Sequence, residues 1–338
     1  MSVSGGSIQK QKQKTRVRIG RRTLAVIAIA LAASVGLTAF ALYPRPDVVR
    51  IDGSSTVFPI TVAWAQNFSS GQRQVVVGFV GTGAGFQKFC RGETDLNDAS
   101  RPIRQSEIDA CTQGGVTGIV EFLVAYDGVS VVVNKNNLWA QNLTVRELCR
   151  IWTSNVSSGA CGGAGPRVTT WIELNPTWPN RAINLYGPGT DSGTFDYFVE
   201  VILDPFGAEI TRDFFPSEND NTLVQAVASD LGGLGYFGYA YVVANVDRLN
   251  LLEIDDGNPA NGVGPIAPSE ATIRDGTYAP LSRPLFVYAN EKSLARQIVR
   301  DFLRFGYSPQ GVQLVTAAGY VSLNPSELLA QLAKIPSP

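Results

Sequence analysis

Histidine is missing from this 338-residue chain altogether. Its absence excludes a Ser-His-Asp or Cys-His mechanism and any His-containing zinc site within the chain. Cysteine is scarce: four copies stand at 90, 111, 149 and 161, with no Cys-x-x-Cys or Cys-x-Cys spacing. That removes a zinc ribbon and a thioredoxin-type redox centre. No Gly-x-x-x-x-Gly-Lys-Ser/Thr motif occurs, so a nucleotide-driven motor is excluded. No metal and no cofactor are expected.

Acidic residues are absent from the first 22 positions, which carry Lys10, Lys12, Lys14, Arg16, Arg18, Arg21 and Arg22. The uncharged run TLAVIAIALAASVGLTAFAL follows. A basic stretch before an apolar run is an export signal. Leu24 to Leu42 is 19 residues, close to the ~20 that span a bilayer as a helix. Ala39 and Ala41 also form an Ala-x-Ala cleavage site, so an uncleaved membrane anchor and a removed signal peptide both stay open. Positive charge inside leaves residues 1 to 22 in the cytoplasm and the rest periplasmic, secreted or anchored on the outer face of the cytoplasmic membrane. An oxidising compartment and an even cysteine count favour disulfides. Of three possible pairings, Cys90–Cys111 and Cys149–Cys161 each bracket one local excursion. The whole chain carries −1; without the seven tail cations the body carries about −8. Such a body does not bind nucleic acid through bulk charge. Any anion it holds is held by local dipoles and hydrogen bonds.

After the spacer YPRPD, 43 to 47, strand-like and helix-like runs alternate. VVRID reads as a strand and GSST as a turn. VFPITVAWAQNF has Val57, Ile60, Trp64 and Phe68 on one helical side. QVVVGFV reads as a buried strand, FQKFCRG as a short helix, and GIVEFLVAYD and GVSVVVN as two apolar strands. Thr144 and Glu147 form a capping box ahead of a helix. INLYG is a strand, NTLVQAVAS a helix capped by Asn221, and GGLGYFGYAYV a Gly-aromatic strand. Helices are expected at 291–305, 308–318 (Ser308 cap, Pro309 at the first turn) and 326–334. Residues 253 to 283 read as a surface excursion. Trp152, Trp171 and Trp178 are expected to pack outer loops, and Tyr236, Phe237, Tyr239 and Tyr241 the core and cleft wall. This order argues for α/β architecture with helices on both sheet faces.

Four places share one design, a strand, a short Gly/Ser/Thr turn and a helix. They are Gly53-Ser54-Ser55-Thr56, Gly81-Thr82-Gly83-Ala84-Gly85, Ser100-Arg101 and Asp191-Ser192-Gly193-Thr194. Helix starts present unpaired N–H groups and a positive dipole end, and glycine lets an anion approach the backbone. Each turn alone is an ordinary cap. Four together at the carboxyl ends of strands imply one oxyanion pocket.

IDGSSTVFPI, GFVGTGAGFQKFCRGETDLNDASRPI, LYGPGTDSGTFDYFVE and SENDNTLVQAVASDLGGLGYFGYAY together resemble the phosphate-binding proteins of ABC transporters, over roughly residues 48 to 330. The resemblance implies the type II periplasmic-binding-protein fold, two α/β domains joined by two crossings with a ligand cleft between them. Domain one would be 48–126 plus 284–338, and domain two 127–283, after a leader of 1–47. It implies inorganic phosphate as ligand, an ABC permease as partner, a monomer, and no enzymatic step. Carried over, Thr56 and the N–H of Val57 hold one phosphate oxygen, with Ser55 beside them and Thr82 and Ser100 on the next loops. Ser192, Gly193 and Thr194 match the family's Ser-Gly-Thr. Two positions depart from the pattern. Arg101 stands where many members have an acid, and Pro188 where many have an arginine. Arg101 would then supply the guanidinium from domain one.

Hydrogen phosphate brings a proton that a carboxylate can accept, whereas sulfate brings none, so an ionised acid in the site rejects sulfate. Asp191 is the candidate acceptor, with Asp220 and Glu218 behind it. The alternatives are a sulfate or molybdate carrier, favoured if no carboxylate reaches the pocket, and a hydrolase using Ser192, which has neither a histidine nor a nearby lysine to activate it.

Overall fold

The computed structural model describes residues 47–154, 160–162, 166–190, 192–217 and 219–337. The basic tail, the apolar run 24–42 and the candidate acids Asp191 and Glu218 lie outside the described residues. Among the described residues no helix is long and apolar enough to cross a membrane.

The strands are β1 (Asp47–Gly53), β2 (Arg73–Val77), β3 (Leu96–Ala99), β4 (Val120–Asn134), β5 (Asn142–Thr144), β6 (Asn184–Gly187), β7 (Phe215–Pro216), β8 (Gly233–Gly238), β9 (Leu249–Leu251), β10 (Glu253–Asp255) and β11 (Ser282–Ala289). The helices are α1 (Phe58–Phe68), α2 (Thr82–Cys90), α3 (Gln105–Gln113), α4 (Val145–Trp152), α5 (Gly193–Phe198), α6 (Asp220–Ser229), α7 (Tyr239–Val243), α8 (Glu270–Arg274), α9 (Glu291–Leu294), α10 (Gln297–Gly306), α11 (Pro309–Ala317) and α12 (Pro325–Leu332). One sheet runs β2-β1-β3-β11-β4-β8-β6-β7, with β9 also on β4, and β5 and β10 form a small separate pair. β1, β2 and β3 are parallel, as are β6, β7 and β8; β11 and β4 run antiparallel to their neighbours.

Where two apolar strands are expected around Asp127-Gly128, β4 is a single strand. Its first part pairs with β11 as far as Gly128 opposite Ser282, and from Val129 it pairs with β8. One strand therefore serves two hydrophobic cores. The first gathers the α1 stripe, with Val57, Ile60 and Trp64 fully buried and Phe68 nearly so, against Phe122, Leu285 and Phe302. The second surrounds Trp152, whose ring meets Phe198, Phe214 and Tyr236 at centroid distances of 5.5, 5.7 and 4.9 Å. Trp152 and Trp171 are thus core residues, not loop packing.

Other local readings also shift. β2 is the sheet edge, so its apolar run is not buried: Val76 is 58% exposed. Asn219, not Asn221, caps α6, its side chain accepting from the Asn221 N–H. The Gly-aromatic run ends as a strand at Gly238 and continues as α7. The stretch 291–305 breaks at Ala295-Arg296, because Arg296 leaves helical geometry to bond Asp95 (2.6 Å), the carbonyl of Val48 (2.8 Å) and Asp47. The capping box of Thr144 and Glu147 and the Ser308 cap form as expected. Cys90 pairs with Cys111 and Cys149 with Cys161.

Asp52, at the end of β1, ties the first two turns together. Its carboxylate accepts from the N–H of Gly53 (2.9 Å) and of Val80 (3.0 Å) and from Lys88 Nζ (2.6 Å). Gly53 has φ 139°, and a Cβ there would lie 2.1 Å from the Asp98 carbonyl oxygen, so the adjacent strand approaches closer than any side chain permits. Burial pushes the Asp52 carboxyl up, but Lys88 and the two N–H donors outweigh it and hold it below the usual carboxylate range.

A depressed native value stabilises the fold above the unfolded carboxylate pKa of about 4, and that contribution fades as pH falls through the lower native value. Asp52→Asn is therefore expected to lower the urea midpoint at pH 7 and to flatten its decline between pH 4 and pH 2. A decline unchanged in steepness would reject the assignment. Replacing Cys90 and Cys111 together by serine frees a 21-residue separation between α2 and α3 and is expected to lower unfolding free energy by roughly 2–4 kcal/mol in urea titration.

Candidate functional site

Three of the expected turns meet at the carboxyl ends of β1, β2 and β3. Ser54, Ser55 and Thr56 precede α1, Gly81, Thr82 and Gly83 open α2, and Ser100 and Arg101 follow β3. They line one cavity of about 210 Å³ together with Asp196, Tyr197, Glu200 and Arg283. The Thr82 and Ser100 hydroxyls lie 3.2 Å apart, and the Ser100 N–H donates to Thr82 Oγ1 at 3.2 Å. Ser55 Oγ donates to Asp196 Oδ2 at 3.3 Å.

Thr56 is the junction of the site. Its carbonyl accepts from Tyr320 Oη at 2.7 Å. Its hydroxyl donates to the Gly193 carbonyl at 3.3 Å and accepts from Arg283 Nη2 at 2.8 Å. Gly193 sits so near that a Cβ there would lie 2.5 Å from Thr56 Cα. Glycine is required because two backbones touch at this point. Ser192 caps α5, its side chain accepting from the Thr194 N–H at 3.2 Å. Ser192, Gly193 and Thr194 thus adjoin the cavity through Thr56 without lining it. Val57 is buried at the start of α1, and Asp220 opens α6 away from the cavity lining.

Arg101 lines the cavity but is engaged. Its Nη1 and Nη2 donate to the two Glu107 oxygens at 2.9 and 2.8 Å. Glu107 also accepts the Arg104 N–H, completing the α3 cap. Burial raises the Glu107 carboxyl, yet Arg101 and the Arg104 N–H carry it below the ordinary value, while Glu107 raises the Arg101 guanidinium.

Four lining residues escaped the sequence reading: Asp196, Tyr197, Glu200 and Arg283. Arg283 comes from β11, where its guanidinium carbon lies 3.5 Å from the Tyr197 ring centroid. Among the described residues its nearest carboxylate oxygens belong to Glu200 at 3.4 Å and Asp127 at 3.5 Å. Asp127 is buried opposite Arg283 in the β4–β11 register; burial raises its carboxyl, opposed by the Arg283 charge. The available signal was an arginine in an otherwise apolar strand run, Ser-Arg-Pro-Leu-Phe-Val. Asp196 and Glu200 were hidden by distance, since only folding brings them to residues near position 56.

A profile of the PBP superfamily domain matches residues 38–310. The protein SphX of Synechocystis is 40% identical over 90% of this chain and 87% of its own length. The phosphate-binding protein PstS of Staphylococcus saprophyticus is 34% identical over 85% of this chain and 84% of its own. Among solved structures, a possible phosphate binding protein from Planctomyces limnophilus is 39% identical with a TM-score of 0.76, covering 87% of this chain and 100% of that one. An ABC-type phosphate transport receptor from Vibrio cholerae shares the fold, with a TM-score of 0.57 at 21% identity over 81% of this chain and 100% of that one. With this match spanning most of its length, and with strand-end turns that converge on one polar cavity, the chain belongs to the type II periplasmic substrate-binding family that includes the phosphate-binding proteins, a family of transport receptors.

Proposed function

We propose that the protein captures inorganic phosphate outside the cytoplasm and delivers it to an ABC transporter permease, making and breaking no bond. The observation that carries this reading is the convergence of the Ser55, Thr56, Thr82 and Ser100 hydroxyls and two arginines on one small cavity that also holds carboxylates. Hydroxyls and a guanidinium fork suit a tetrahedral oxyanion. Carboxylates beside them suit an anion that carries its own proton and repel one that does not. The names of the curated relatives support the same ligand.

One side offers Ser55, Thr56, the Val57 N–H, Thr82 and Ser100, with Arg101 on the same wall but paired with Glu107, and the other offers Ser192, Gly193 and Thr194 beside Thr56. The two sides belong to two domains, 48–126 with 284–338, and 127–283. Because both give donors to one anion, phosphate stabilises their closed arrangement by differential affinity. Asp191, directly before Ser192, and Asp196, within reach of Ser55, are the proposed acceptors of the phosphate proton. The protein works as a monomer, exported by its N-terminal signal or tethered by residues 24–42.

Equilibrium dialysis of the folded protein with labelled phosphate and competing sulfate tests the ligand. Phosphate is expected to bind and sulfate to compete poorly. Absence of phosphate binding, or equal competition by sulfate, would sink the reading. Asp191→Asn and Asp196→Asn locate the acceptor: the variant lacking it is expected to lose phosphate affinity roughly tenfold or more and to gain on sulfate.

A further inference from the structure

We propose that Arg283 is the guanidinium that grips the bound anion, presented from the strand crossing rather than from the turns. The inference rests on the oxyanion reading of the cavity given above.

Both cavity arginines carry charge, but they differ in what they have left to give. Arg101 has its two terminal nitrogens on one carboxylate, at 2.9 and 2.8 Å, within the range of a charge-assisted pair. An anion would have to draw it away from Glu107, which also caps α3. Among the described residues Arg283 makes no such two-point pair: its Nη1 reaches the Glu200 carboxylate only at 3.4 Å, and its Nη2 donates to the neutral Thr56 hydroxyl at 2.8 Å. Its side chain is only 10% exposed, and its carboxylate neighbours stand at 3.4 and 3.5 Å. Among the described residues its Nε has no hydrogen-bond partner, and neither has the facing Asp127 Oδ2. A buried guanidinium stays charged and gains by a close, hydrogen-bonded anion. Tyr197 stacks on its face and Asp127 fixes its stem side, so little rotamer freedom remains to be lost on binding.

Its position adds a consequence. Arg283 pairs with Asp127 one step before β4 leaves β11 for β8. Its Nη2 already bonds Thr56, the residue that touches Gly193. An anion on Arg283 therefore engages the crossing and both flanking turns through one side chain.

The test uses isothermal titration of the folded protein with phosphate, sulfate and molybdate. Two variants guard against misfolding. Arg283→Lys keeps the charge beside Asp127 but loses the fork. The double variant Arg283→Gln with Asp127→Asn removes both charges and so leaves no buried carboxylate unpaired. Thermal melts identify the variants that fold. For whichever oxyanion the wild type binds, the double variant is expected to lose about 100-fold in affinity and Arg283→Lys about tenfold. Arg101→Gln is expected to lose less than the double variant. A folded Arg283 variant binding within about threefold of wild type, or a larger loss from Arg101→Gln, overturns the proposal. If the wild type binds sulfate or molybdate but not phosphate, the phosphate reading fails while Arg283 is still judged on that anion. If it binds none of the three, both fail.

Discussion

The pairing of β4 with β11 is the constraint on which the rest of the molecule depends. β4 is 15 residues long and changes partner at Gly128-Val129, leaving β11 for β8. Its two parts line two different hydrophobic cores, one around Trp64 and Phe302 and the other around Trp152 and Tyr236. A strand with fixed alternation commits its side chains to both cores at once, because a one-residue slip would turn every one of them to the wrong face. The register places Asp127 opposite Arg283 in a dry environment. That buried pair is weak evidence for stability, since desolvation offsets its attraction. Its value is positional: it holds a cation at the floor of the cavity.

Above that floor the fold repeats one solution. Parallel strands end together, and the turns after them point the same way. Asp52 binds the turn after β1 to the one after β2 by accepting both backbone N–H groups, and Gly53 and Gly193 remove the Cβ atoms that would hold neighbouring backbones apart. The chain body is net acidic, so bulk charge would offer an anion nothing; the cavity lining offers hydroxyls and two guanidinium groups, which act over a few ångströms and discriminate by geometry.

The cavity also shows how charge is rationed. Arg101 and Glu107, 2.8 Å apart, offset each other's charge in its wall. Arg283 lines the same cavity with looser carboxylate partners, and Asp196 and Glu200 bring negative charge to the same walls. Under the proposed function, donors and acceptors together would read the protonation of an anion as well as its shape, whereas donors alone would read only its charge.

Much of this was legible in the residues themselves. The α1 stripe at 57, 60, 64 and 68, the capping box at Thr144, the disulfide pairing and the turns carrying Ser55, Thr56, Thr82 and Ser100 all follow from short-range chemistry, in which side-chain period, cap geometry and loop length act within a few residues. Neighbouring sequence could not decide the rest. Asp127-Gly128 looks like a strand end, but long-range pairing with Arg283-Ser282 carries the strand through it. The break at Arg296 depends on Asp47 and Asp95, some two hundred residues or more away in sequence. Arg283 looks like an interruption in a buried strand until folding sets it against Thr56, 227 residues away. The sequence by itself determined the α1 stripe, the Thr144 and Ser308 caps and the Gly/Ser/Thr turns, because those are set by local backbone and side-chain preferences. Only the tertiary structure decided that Arg283 joins Arg101 on the cavity wall, because that placement belongs to contacts between residues the chain holds far apart.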